Sequence, residues 1–220
     1  MSKTGQETVD LFQKLMACKD RATRNKIFDD WNDGYNQDVK SASYQAPYHT
    51  AQMVNQYVSD KNCSLIDVGA GTGLVAEELR KLGFNGRMDA IDPSTGMAKV
   101  AMDNKLYSKY YHEYLSANKP CTVETESFDH VTCCGTIVPG QAKYKAIREL
   151  LRMCKPGGYV FVCFRKDYLE HEEFKGMETF LEDLEKEGAT SETNKHEFQQ
   201  YYLHYQALVF VVKKKASVKQ

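Results

Sequence analysis

The chain has 220 residues, a formal net charge of −1 and 42% hydrophobic residues, which suits one globular domain of ordinary composition. The near-zero charge gives no long-range attraction to nucleic acid or to an anionic membrane, so neither is expected as a partner. No apolar run approaches the length of a membrane span, and the N-terminal residues lack the apolar core of a signal peptide.

The cysteines give no sign of a metal site. The seven cysteines, at positions 18, 63, 121, 133, 134, 154 and 163, include no CxxC pair and no histidine at zinc-finger spacing. Several of them lie in apolar stretches, where free cysteine behaves as a small buried hydrophobe. This usage fits a reducing compartment, and we predict a cytoplasmic location, with the nucleus not excluded.

The first part of the chain predicts helices before any strand. Apolar residues recur at helical spacing over 9–16 and 27–31, and Pro47 opens a third helical stretch. We therefore predict a helical cap segment over residues 1–60, followed by an α/β domain over residues 61–215. No internal repeat or linker separates the two, so one compact domain is expected.

From Ser64 onward, strand-like runs alternate with helical stretches. The alternation predicts parallel pairing with right-handed crossovers, a doubly wound α/β sheet. The last two runs are so close together that they can pair only as an antiparallel hairpin. The predicted fold is thus a mostly parallel seven-stranded sheet that ends in a hairpin. The seven strands are predicted over residues 65–68, 88–91, 109–115, 128–134, 159–164, 197–203 and 207–212.

The stretch LIDVGAGTGLVAEEL, residues 65–79, places a glycine-rich turn between the first strand and its helix. Residues 71–76 formally match the GxGxxA pattern of a dinucleotide site, and Asp92 follows at the expected distance. However, the loop's first glycine is Gly69, and Asp67 in the strand before it would repel a pyrophosphate. A carboxylate there suits a ligand that carries an ammonium and a sulfonium. A phosphate P-loop is excluded, because no Gly-Lys-Ser/Thr follows.

This stretch resembles motif I of the class I S-adenosylmethionine-dependent methyltransferases: an acid, an apolar residue, then GxGxG. Asp92 resembles their ribose-binding acid, SFDHVTCCG their fourth-strand motif, and ELLRMCKPGGYVFV the helix, turn and fifth strand that follow. The resemblance covers about residues 27–213 and implies a Rossmann-like methyltransferase fold. Within the class, FDDWNDGYNQDV, YQAP and IDPSTGM are most similar to the methyltransferase-like proteins of the Williams–Beuren region group.

The resemblance implies S-adenosylmethionine as the cofactor and assigns it a set of binding residues. Asp67 and Gly69 would line the methionine moiety, and Asp92 would bind the ribose diol. Gly71 and Gly73 would let the backbone approach the ligand. The other implied contacts are Trp31, Tyr35, Ala70, Leu74, Pro93, Ser94, Met97, Tyr114, Leu115, Gly135 and Thr136.

Adenine recognition departs from the family's pattern. Ser94 and Met97 would flank the adenine, but Tyr114 stands where related enzymes often have an aspartate for the adenine amino group. Tyr114 could stack on the base or bond to it, or Glu113 could take the aspartate's place. Structural alternatives also stay open here, since Asp92 could cap the next helix and Met97 could belong to the core.

Other residues border the reacting centre. Gly135 and Thr136 would lie beside it, and Tyr35 would lie over the cofactor with Trp31 nearby. The two aromatic residues could equally pack one helix face, four residues apart. We assign no general base and no metal ligand, and the sequence does not predict an oligomeric state.

The acceptor is predicted from what the chain lacks. No Asn/Asp-Pro-Pro-Tyr follows the fourth strand, which disfavours methylation of nucleobase or glutamine amino groups. No basic aromatic surface suggests RNA, and no recognition domain is appended. We therefore expect a methyltransferase acting on a small molecule, with a protein side chain as second choice. A silent S-adenosylmethionine-binding module and, less favoured, an NAD-dependent oxidoreductase are the alternatives.

Overall fold

The computed structural model describes residues 2–216. The helices are α1 Gly5–Ala17, α2 Arg21–Ser41, α3 Ala46–Tyr57, α4 Leu74–Lys81, α5 Thr95–Asp103, α6 Ile147–Met153 and α7 Met177–Lys186. The strands are β1 Leu65–Val68, β2 Met88–Ile91, β3 Lys109–Tyr111, β4 His130–Cys134, β5 Tyr159–Arg165, β6 Thr190–Tyr202 and β7 Tyr205–Lys214. Within this range, no helix combines the length and apolarity needed to cross a bilayer.

The seven strands form a single sheet in the order β3-β2-β1-β4-β5-β7-β6. Strands β1 to β5 pair in parallel, whereas β7 runs antiparallel to both β5 and β6. The predicted mostly parallel sheet with a terminal hairpin is confirmed. The order of the strands reverses between β1 and β4, which is where open sheets of this kind bind ligands.

Helices cover both faces of the sheet. Leu150 of α6 and Leu184 of α7 are fully buried on one face, together with Phe164 of β5. Val54 of α3 and Leu79 of α4 are buried on the other face. Of the three N-terminal helices, α3 therefore belongs to a layer on the sheet. The predicted division of the chain near residue 60 stays a prediction.

Strands β3 and β6 differ most in extent from the sequence-based expectation. Strand β3 stops at Tyr111, because the Tyr111 carbonyl accepts from the Glu113 amide in a turn. Strand β6 begins at Thr190 rather than at residue 197, since its first half is a largely exposed edge strand without an apolar pattern.

Candidate active site

A cleft opens at the carboxyl ends of β1, β2 and β4. Gly69, Asp92 and Gly135, which directly follow these three strands, all line it, and residues of α1 and α2 line it from the opposite side. Its empty space, counted out to the open side, is about 1160 Å³. The cleft is therefore open to solvent, so that a ligand can enter it.

The glycine loop after β1 forms one wall of the cleft. Gly69 has φ +74°, and a Cβ there would lie 1.6 Å from Thr136 Oγ1, so only glycine fits. Gly71 has φ +54°, and a Cβ there would meet no atom within 4 Å. Because Gly71 lines the cleft, its missing side chain leaves room for a ligand to approach the backbone.

Asp92 provides a carboxylate beside this loop. Its Oδ2 accepts from the Gly71 amide at 3.1 Å, and its Oδ1 accepts from the Ser94 amide at 2.9 Å. Burial raises the pKa of Asp92 to about 6, against the opposing effect of these two hydrogen bonds. Each carboxylate oxygen can accept more than one hydrogen bond, so acceptor capacity is left for ligand hydroxyl groups.

The raised pKa predicts how stability depends on pH. Relative to wild type, Asp92→Asn is expected to gain ~1 kcal/mol in free energy of unfolding between pH 5 and pH 7.5, because only wild type buries a carboxylate that becomes charged over this range. The cost is present above the folded pKa of about 6 and disappears as the pH falls toward the unfolded value of about 4. Urea unfolding at pH 7.5 and pH 5 measures the difference between variant and wild type. A difference that does not shrink at pH 5 would contradict the assignment.

Asp67, the acid predicted to line the methionine moiety, does not line the cleft. Its carboxylate accepts from the Tyr107 hydroxyl at 2.6 Å and from Thr132 Oγ1 at 2.8 Å. Burial raises the pKa of Asp67 to about 6 although these hydrogen bonds favour its ionised form. The structure thus places Asp67 behind the glycine loop, bound to its own chain.

The segment after β3 lies at the other end of the cleft. Tyr114 is 41% exposed, and the Arg21 guanidinium lies 5.6 Å from its ring centroid. Glu113, also in the cleft lining, accepts from the Thr122 amide and hydroxyl. Leu115 is buried and completes this end.

Helix α2 is held against the loops of the cleft by polar side chains. Asp29 Oδ1 accepts from Ser94 Oγ at 2.6 Å and from the Gly96 amide at 2.9 Å, which places a carboxylate at the N-terminus of α5. Thr72 Oγ1, in the glycine loop, donates to Asn36 Oδ1 at 2.5 Å. These contacts fix the helix that covers the cleft relative to the loops beneath it.

Trp31 anchors α2 and does not line the cleft. Its Nε1 donates to Asp38 Oδ2 at 2.7 Å, and the Lys3 amide donates to Asp38 Oδ1 at 2.6 Å. Burial alone would raise the pKa of Asp38, but hydrogen bonds from Lys3 and Trp31 outweigh it and hold that pKa below its usual value. The Trp31 ring packs 5.4 Å from the Phe12 ring of α1, so the two helices form one unit over the cleft.

Aromatic side chains line the cleft near the end of β4, and we call them the aromatic wall. Phe12 stacks on Tyr202 at 5.8 Å between ring centroids, with the rings 8° from parallel. The Tyr44 hydroxyl lies 3.4 Å from the Tyr201 hydroxyl and 3.7 Å from Cys134 Sγ. The wall consists of Phe12, Phe28, Tyr35, Tyr44, Tyr168, Tyr201 and Tyr202.

The structure brings most of the predicted site residues together. Those that line the cleft are Tyr35, Gly69, Gly71, Asp92, Pro93, Met97, Tyr114, Leu115, Gly135 and Thr136. Those outside its lining are Trp31, Asp67, Ala70, Gly73, Leu74 and Ser94. Of these, Ser94 caps α5 by accepting from the Met97 amide, and Gly73 packs so closely that a Cβ would lie 2.4 Å from Leu106.

The sequence did not mark the other residues of the cleft lining, some next to predicted positions and some from distant parts of the chain. They are Phe12, Met16, Arg21, Arg24, Asn25, Phe28, Tyr44, Ile91, Cys134, Val138, Gln141, Ala142, Tyr168, Tyr201 and Tyr202. The apolar stripes of α1 and α2 signal burial but not what they are buried against. No local pattern marks the tyrosines of the terminal hairpin as part of a site.

A mostly parallel sheet of this strand order, a glycine loop after β1 and an acid after β2 are what the resemblance to the class I S-adenosylmethionine-dependent methyltransferases predicts. A family model described as a methyltransferase domain matches residues 66–162. Methyltransferase-like protein 27 of Homo sapiens is 33% identical over 171 residues, which cover 77% of this chain and 69% of that protein. The chain belongs to the class I methyltransferases, in the family that includes this relative, and its cofactor is S-adenosylmethionine.

More distant relatives agree with the fold. A ubiquinone biosynthesis O-methyltransferase of Xanthomonas oryzae is 33% identical over 125 residues, which cover 54% of this chain and 52% of that protein. An S-adenosylmethionine-dependent methyltransferase of Thermotoga maritima superposes with a TM-score of 0.59 at 21% identity, over 86% of this chain and 99% of that one. A TehB-like methyltransferase of Corynebacterium glutamicum gives a TM-score of 0.56 at 18% identity, over 84% and 98%.

Proposed function

We propose that the chain transfers the methyl group of S-adenosylmethionine to a small molecule bound against the aromatic wall. The main support for this proposal is the position of the aromatic wall. It adjoins Cys134 and Gly135 at the end of β4 and lies beneath α1 and α2. A roofed, aromatic pocket suits a compact acceptor, because it buries most of a small ligand's surface. The similarity to an O-methyltransferase of ubiquinone biosynthesis also supports a small-molecule acceptor.

The ten predicted residues that line the cleft are our proposed cofactor contacts. When bound, S-adenosylmethionine supplies an electrophilic methyl carbon on a sulfonium. Asp92 would accept hydrogen bonds from the ribose hydroxyls, and Gly71 would leave room for the ligand beside the backbone. The aromatic wall would exclude water and align the acceptor, which are the main contributions a methyltransferase makes to this displacement.

The cleft also supports an acceptor that attacks without a protein base. Its acidic side chains in the described range are Asp92, at the glycine loop, and Glu113, which is bound to Thr122. Burial raises the pKa of the Tyr35 and Tyr44 hydroxyls, so they stay protonated at neutral pH. A base is needed only where the acceptor atom must lose a proton before attack. We therefore favour an amine or a thiolate as the acceptor group.

A transfer assay tests this proposal. The protein is incubated with methyl-labelled S-adenosylmethionine and a metabolite extract that is fractionated into small molecules and proteins. We expect label in small amines or thiols, and no label above background with Asp92→Asn. Label in the protein fraction would overturn the small-molecule acceptor. Cofactor binding without labelled product from any fraction would favour a silent binding module.

A further inference from the structure

Asn25, on α2, carries a buried hydrogen-bond acceptor that its own chain does not use. Its Nδ2 donates to Asp29 Oδ2 at 3.0 Å. Because a carboxylate only accepts, this bond fixes the orientation of the amide and leaves Oδ1 as the free acceptor. Asn25 lines the cleft, and its Oδ1 is buried without a partner among residues 2–216. An unpaired buried acceptor destabilises the chain, so a ligand donor that reached it would gain affinity.

The contacts around Asn25 place it between the two ends of the cleft. Asp29, its partner, also binds Ser94 Oγ, two residues after Asp92. One helical turn before Asn25, the Arg21 guanidinium lies over the Tyr114 ring. A base that extended from a ribose at Asp92 toward Tyr114 would pass Asn25, which lies one helical turn from each of these two contacts.

Tyr114 and Glu113, the two candidates from the sequence for contacting the adenine amino group, already make hydrogen bonds within the chain. The Tyr114 hydroxyl donates to the Arg21 carbonyl at 3.5 Å. Both carboxylate oxygens of Glu113 accept from the Thr122 amide, at 3.2 and 3.1 Å, and Oε1 also accepts from the Thr122 hydroxyl. Both residues could accept a further hydrogen bond, but of the three acceptors Asn25 Oδ1 is the one without a partner among residues 2–216.

We infer that Asn25 Oδ1 accepts the hydrogen bond of the adenine amino group, so that the covering helix α2 reads the base in place of the loop after β3. The inference rests on the proposed cofactor site at Asp92. It makes base recognition dependent on α2, because the acceptor is correctly placed only when Asp29 holds that helix against Ser94.

Calorimetry with two ligands tests the inference: S-adenosylhomocysteine, and its analogue in which hydrogen replaces the 6-amino group of the purine. Wild type is expected to bind the amino-bearing ligand about tenfold more tightly, the value of one such hydrogen bond. Asn25→Ala should lose this preference by weakening only the amino-bearing ligand. The analogue's affinity then shows that the variant is folded and binds.

Asn32→Ala is the matched control. Asn32 is also an α2 asparagine that bonds to Asp29, through the Asp29 carbonyl, but it lies outside the cleft lining. This variant should keep the tenfold preference. The inference would be overturned if Asn25→Ala kept the wild-type preference for the amino-bearing ligand, or if it lost affinity equally for both ligands. Either result would leave the proposed function standing. Failure of wild type to bind S-adenosylhomocysteine would overturn the proposed function and the inference with it.

Discussion

Asp92→Asn is expected to lower the affinity for S-adenosylmethionine by at least about 100-fold. A hydrogen bond to a charged group contributes roughly 1.5–3 kcal/mol, and the ribose offers two hydroxyl groups to this carboxylate. Asparagine keeps the size of the side chain but removes the charge and one acceptor oxygen. Isothermal titration calorimetry measures the loss directly.

The control for this experiment is Asp103→Asn, at the end of the helix that follows Asp92. Asp103 lies on α5 with its side chain 66% exposed and paired with Lys99, so its replacement should leave both affinity and stability unchanged. The Asp92 variant should remain folded at pH 7.5, which urea unfolding checks. An affinity within threefold of wild type would place the ribose elsewhere.

Gly69→Ala and Gly71→Ala are expected to act on different properties, although both positions have positive φ. At Gly69 the new methyl collides with Thr136, so the free energy of unfolding should fall by ~3 kcal/mol or more. At Gly71 the methyl meets no protein atom, and the fall should be limited to the backbone strain of ~1 kcal/mol. That methyl projects into the cleft, however, and should weaken cofactor binding at least tenfold.

Gly83→Ala separates strain from ligand contact. Gly83 has φ +80° and open space around a Cβ, as Gly71 does, but it follows α4 and lies outside the cleft lining. It should show the same ~1 kcal/mol loss with unchanged affinity. Urea unfolding and calorimetry on the three variants measure both quantities. Equal affinities for the Gly71 and Gly83 variants would remove Gly71 from the binding site.

The sequence predicted those parts of the site that directly follow strands. Val68 and Ile91 end short apolar runs, so Gly69 and Asp92 were expected at one edge of the sheet, and the structure places them there. The periodicity that marks a strand also marks its end. Residues within a few positions of such an end could therefore be located without knowing the rest of the fold.

The aromatic wall could not be predicted in this way. Phe12 and Tyr202 stack although they lie near opposite ends of the chain, and Tyr44 joins them from the loop before α3. Their contact depends on how α1 and the hairpin pack over the same strand ends, which no local pattern specifies. The partners of the Asp67 carboxylate could not be predicted either, because Tyr107 and Thr132 are distant from it in sequence.

The anchoring of Trp31 gives this protein a built-in optical probe. Trp31 is the only tryptophan of the 220 residues, so the chain's tryptophan emission comes from one position. That indole lies in the helix over the cleft, bound to Asp38 and packed on Phe12. Its emission wavelength and quenching therefore report on how α1 packs against α2 above the cleft. Stopped-flow fluorescence can follow any change in that packing when cofactor is added, without a dye.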